Sequence, residues 1–182
     1  MGKKIKKSAE NQFLSPNFRY RKKSAIAVFI FSLLLGINTI YHDFTLDDEI
    51  YYSENKISQK GVAGIKDMFS KGSTSGFKET GKKDLYRPLV MLTFGMEKDL
   101  FNNKPHASHL VQIVLYAFCC AALYSLMNIF FSSFHFLIPL LITLLFASHP
   151  VHTEVIASVK SRDELLAFLF SILSLRQFIL IK

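Results

Sequence analysis

Residues 147–166 read Ala-Ser-His-Pro-Val-His-Thr-Glu-Val-Ile-Ala-Ser-Val-Lys-Ser-Arg-Asp-Glu-Leu-Leu. They form a polar island between two apolar runs, 134–147 and 165–181. Two histidines, a glutamate, a lysine, an arginine and an Asp-Glu pair stand between segments apolar enough for a membrane. Charge at the centre of a bilayer is costly, so the island belongs at a water-facing turn between two crossings. The fold class follows from that turn: an all-α chain that passes through the membrane several times.

Working outward, the rest of the chain agrees. Half of the 182 residues are hydrophobic, 18 of them phenylalanine. The mean hydropathy of +0.25 is high for a water-soluble domain. Charge is segregated. The first 23 residues hold eight Lys/Arg and one acid, whereas 42–107 hold ten of each sign. The net charge of +8 is therefore mostly a basic N-terminal tail. That tail abuts an apolar run, so the positive-inside bias accounts for it more simply than nucleic-acid binding does. No nucleic-acid partner is expected. Adjacent Cys119 and Cys120 lie inside an apolar run and imply no disulfide framework.

Four spans follow, at about 24–41, 108–131, 134–149 and 164–181. The third is short unless it reaches His149. The first has no charge over 18 residues, is too long for a signal peptide and lacks a small-x-small cleavage pattern. Residues 1–23 are expected as a cytoplasmic tail and 24–182 as the membrane domain, with both termini cytoplasmic. Counting crossings, the long loop 42–107 and the turn 149–163 both face the extracytoplasmic side of the cell membrane. Within the loop, 47–55 and 88–101 are helical candidates, Pro88 being well placed as a first helical residue. Leu89, Leu92, Met96 and Leu100 repeat at three- to four-residue steps, so the second helix is expected along the membrane interface.

Each polar constellation has a structural and a functional reading. Asp47-Asp48-Glu49 stands just beyond the first span. Thr45-x-x-Asp48 fits a helix cap, and a carboxylate at the membrane surface also suits a general base. Arg87 precedes the interfacial helix and could fork onto phosphate oxygens or contact headgroups. His149, His152 and Glu154 share one turn, but Pro150 interrupts it and two His with one Glu make a marginal zinc set. Hydrogen bonding to a sugar or an anion is the better reading there, and no metal ligands are assigned. Lys160, Arg162 and Asp163 follow on the same segment, where Ser161 and Glu164 fit a capping box opening the last helix.

Taken in order, four pieces resemble a known family. They are Leu46-Asp-Asp-Glu-Ile-Tyr-Tyr-Ser-Glu-Asn55, Tyr86-Arg-Pro-Leu89, His109-Leu-Val-Gln-Ile-Val-Leu-Tyr116, and His149-Pro-Val-His-Thr-Glu-Val-Ile-Ala157 running on to Leu166. The series resembles the N-terminal part of the transmembrane and tetratricopeptide-repeat O-mannosyltransferases and their bacterial relatives, within the C-type (GT-C) glycosyltransferases. The resemblance implies transfer of a sugar, typically mannose, from a polyprenyl-phosphate donor to an extracytoplasmic acceptor, a protein hydroxyl or a glycan. It implies a catalytic carboxylate at Asp47 or Asp48, Asp48 slightly favoured. It makes Arg87, His152 and Arg162 candidates to meet phosphate or sugar, and a divalent metal is used by some of that superfamily. Family members carry many more spans. The resemblance therefore also implies a fragment, with missing helices supplied by a longer chain or a second polypeptide, and no transfer by these residues alone. The competing reading is a non-catalytic membrane anchor or assembly subunit whose acids serve as helix caps.

Overall fold

The computed structural model describes residues 16–45, 47–77 and 85–181, with side chains from Tyr20 onward. No strand occurs among them. Helix α1 is Pro16–Gly36, continued by a 3-10 turn, Ile37–Tyr41. It starts at Pro16, inside the basic stretch, because proline at a first helical position lacks only a donor that is unpaired there anyway. Helix α2 is Ile65–Ser70, α3 Pro88–Phe101, α4 Pro105–Phe130, α5 Leu137–Ala147, α6 His152–Ala157 and α7 Arg162–Ile181. Three helical segments are long and apolar enough to cross a membrane: Tyr20–Tyr41, Pro105–Phe130 and Val159–Ile181. With Leu137–Ala147 as a shorter apolar helix, the chain is a polytopic all-α membrane protein.

The expected third span is the part that differs. Helix α5 has 11 residues, about 16 Å of rise, against about 30 Å of hydrocarbon. The Tyr116 hydroxyl donates to the Ala147 carbonyl at 2.8 Å and fixes where α5 stops. Tyr116 lies partway along α4, so beyond Ala147 the chain continues through the 148–161 turn, which holds only the short helix α6. Irregular backbone at such depth is tolerated where it packs on protein or lines an aqueous cavity. Here Gln112 supplies the donors, its amide meeting the Val155 and Ser158 carbonyls at 2.8 and 3.0 Å.

The two ends of the bundle are distinct. At the basic end the Arg21 guanidinium donates to the carbonyls of Asn128 and Ser132 at 3.1 and 3.0 Å, and Tyr20 stacks on Phe136. At the other end the tail of α1 meets the start of α4, where His106 Nδ1 lies 2.6 Å from the Ile40 carbonyl. Two cores hold the molecule. Val28, Ile113, Tyr116, Cys119, Cys120, Tyr124 and Leu165 fill the bundle. Tyr52, Ile57, Met68, Met91, Phe94 and Val159 fill a smaller cluster above it. Val159, fully buried, belongs to the upper core although it comes from the polar turn, so the turn is pinned between the two. Leu141, Leu145, Phe170 and Phe178 face outward, as a lipid-facing surface requires.

Asn55 locks the upper cluster. Its amide donates to the Ile50 and Ser73 carbonyls, and its carbonyl accepts the N–H groups of Ile57 and Ser58. Gly76 has to be glycine beside it, because a Cβ there would stand 2.1 Å from Asn55 Oδ1.

Candidate functional site

The acidic stretch and the His-rich turn meet. Asp48 is 1% exposed and accepts the Lys160 N–H on Oδ1 at 2.7 Å, with the Ser158 hydroxyl at 3.5 Å. Its Oδ2 accepts the Thr45 N–H at 3.3 Å. That last bond is the back-reaching half of a capping box, and the same carboxylate also ties two distant segments together. Asp47 points the other way. Its side chain is 53% exposed, with Oδ2 3.4 Å from the Lys160 ammonium.

A cavity of about 590 Å³ opens over this junction, lined by His42, Asp43, Thr45, Asp47, Glu154, Ala157, Ser158 and Lys160. A second, of about 170 Å³, shares His42 and Ala157 with it and is lined also by Leu35, Asn38, His149 and Ile156. A third, of about 260 Å³, lies between α4, α5 and α7, with His152 and Glu164 beside Tyr116, Phe146 and Phe168. The turn therefore fans out. Glu154 faces the first cavity, His149 the second and His152 the third. The His152 ring lies 4.4 Å from that of Phe146, and burial, with a smaller contribution from His149, holds its pKa below the ordinary histidine value.

The two arginines are engaged elsewhere. Arg87 pairs with Asp163 at 3.0 Å and lies over the Tyr51 ring. Arg162 is 1% exposed and forms a buried pair with Glu97, supported by Thr93 Oγ1 and Gln112 Oε1 and stacked over Phe94. Neither lines the first cavity. Burial raises the Glu97 carboxyl above its usual range, against the opposing pull of Arg162. Among the described residues no three His, Cys, Asp or Glu side chains converge as a metal-ligating group. The described residues around the cavity thus do not provide the converging donor set that a divalent metal requires.

Sequence reasoning did not single out His42, Asp43 or Ser158, and it read Thr45 only as part of a helix cap. The available signal was position, since His42 and Asp43 are the first polar pair after the first span. Glu97 was missed as well; its signal was its place at the head of the Glu97-Lys98-Asp99 run that closes a mostly apolar helix.

These features define a class: a polytopic helical membrane protein with a polar cavity at one end of its bundle, bordered by an exposed carboxylate. No family profile matches the chain, and no solved structure does. Curated relatives do. The chain is 29% identical to the human protein O-mannosyl-transferase TMTC2 over 143 residues, 79% of this chain and 17% of that relative. It is 29% identical to human TMTC3 over 147 residues, 76% of this chain and 16% of the relative. Against mouse TMTC4 it is 33% identical over 158 residues, 79% of this chain and 21% of the relative. Over most of its length the chain is thus a relative of the TMTC protein O-mannosyltransferases, and it spans about a fifth or less of their length.

Proposed function

We propose that this chain forms the acceptor-activating part of a membrane protein O-mannosyltransferase, with Asp47 as the general base. On this reading mannose arrives on a polyprenyl phosphate. The Asp47 carboxylate takes the proton of a serine or threonine hydroxyl. The oxygen attacks the anomeric carbon, the bond from that carbon to the phosphate oxygen breaks, and polyprenyl monophosphate leaves with the electron pair. The observation that carries the reading is the junction itself: an exposed carboxylate on a polar cavity, held by a buried neighbour against a turn 110 residues away. The relatives, protein O-mannosyl-transferases by name, suggest the sugar and the acceptor class.

Asp48 is the positioning partner in this scheme. Its oxygens are filled by the Lys160 and Thr45 N–H groups, so it holds the turn and does not meet substrate. The small second cavity, apolar on its Leu35 and Ile156 side, gives the isoprenoid an approach from the lipid. The reading places this end of the bundle outside the cytoplasm and both termini inside. It also includes further helices, on the same or a second polypeptide, because the matched segment is 17% of the human TMTC2 relative.

The test is mannosyl transfer from polyprenyl-phosphate mannose to a serine/threonine peptide, in membranes carrying the chain with any polypeptide that co-purifies. A general base contributes about 10²–10⁴-fold, so Asp47→Asn is expected to lower kcat by that order with the donor KM little changed. Transfer undiminished in Asp47→Asn rejects the assignment.

A further inference from the structure

The proposed reaction leaves a negative charge on the departing phosphate, and the two arginines that sequence alone offers for it are both committed to carboxylates, Asp163 and Glu97. Lys160 remains. Among the described residues lining the main cavity it is the one Lys or Arg. Its root is rigid. The backbone N–H is held by buried Asp48 at 2.7 Å, and the preceding Val159 is fully buried in the upper core. Its head is held less closely, with the side chain 27% exposed and the ammonium 3.4 Å from Asp47. An ammonium has three donors, so this single contact leaves capacity for another anion.

We propose that Lys160 is the residue that contacts the donor's phosphate, and that it leaves Asp47 to do so. Before the donor binds, the ammonium neutralises Asp47. When phosphate arrives the head swings to it, offsetting the charge that grows as the sugar–phosphate bond breaks and freeing Asp47 to accept the hydroxyl proton. One lysine thereby couples donor binding to unmasking of the base. The partly exposed side chain, at the edge of the cavity, allows the motion, and the Asp48 anchor keeps it local. This inference rests on the proposed polyprenyl-phosphate donor.

The experiment measures binding to the chain, with any polypeptide that co-purifies with it, in lipid nanodiscs, using a medium-chain polyprenyl monophosphate, the corresponding polyprenol and inorganic phosphate as probes. The wild type is expected to prefer the monophosphate over the polyprenol by about tenfold, the size of one charge-assisted hydrogen bond. Lys160→Gln should bring the preference to about twofold or less. Lys160→Arg should keep most of it, and Arg87→Gln should leave it unchanged. Inorganic phosphate should compete only weakly, because it lacks the isoprenoid; competition as strong as by the monophosphate itself would overturn the lipid-linked assignment. A wild type with no preference overturns the donor reading, and Lys160 with it. A full preference surviving in Lys160→Gln overturns Lys160 alone. Retention of the thermal transition in Lys160→Gln, expected because its backbone bond to Asp48 persists, separates lost contact from lost fold.

Discussion

Asp47 and Asp48 are neighbours in the chain with opposite surroundings. One stands at the cavity wall; the other is sealed under the turn with its oxygens occupied. Sequence could name the pair but not divide it, because the division depends on Lys160, more than a hundred residues later. The slight preference for Asp48 as base does not agree with that burial, and exposure on the cavity wall moves the proposed role to Asp47. Arg162 teaches the same lesson. A cation on a polar turn reads as an anion contact, yet its partner Glu97 lies 65 positions upstream on another helix. Removing one member of a buried pair leaves a charge without compensation. Glu97→Ala is therefore expected to destabilise the protein by about 3–5 kcal/mol, read from denaturant unfolding in mild detergent. A loss below about 1 kcal/mol would mean that the pair is solvated, not buried.

At the level of elements, the helices were legible wherever one rule acted alone. Pro88–Phe101 has the bounds expected from its proline and its apolar stripe. The last helix starts at Arg162, directly after the serine of the capping pattern. Helix α5 was harder, since hydropathy counts residues and cannot see Tyr116 holding the Ala147 carbonyl partway along α4. Helix α6 then completes the climb, packed so tightly that a Cβ on Gly36 would lie 2.8 Å from Ile156. Its first residue, His152, gives α6 a pH dependence. Burial lowers the pKa of His152 in the folded state, so the unfolded chain binds the proton more readily. The stability is present above the ordinary histidine value of about 6.5 and is lost as pH falls through it. The melting temperature in detergent should drop between about pH 7.5 and 5.5, and His152→Gln should flatten that drop. An identical slope in wild type and variant would show that the ring does not titrate on unfolding.

For the whole molecule, the alternation of apolar and polar stretches carried the architecture. Hydropathy alone said that the chain crosses the membrane repeatedly. Counting crossings brought 43–55 and 149–163 to one side, and the helix ends meet in the corresponding way. What counting could not supply was contact, since two loops on one side of a membrane need not touch. They touch because Gln112 and Asp48 satisfy the backbone of the turn and Val159 plugs the upper core. The decisive experiment is cross-linking of cysteines placed at Asp47 and Lys160, in a chain whose buried Cys119 and Cys120 are replaced by alanine. A short bifunctional maleimide added to intact membranes should join the two sites in most molecules, and both should react with an impermeant reagent from the same face. No cross-link, with the two sites labelled from opposite faces, would contradict a shared site at its root.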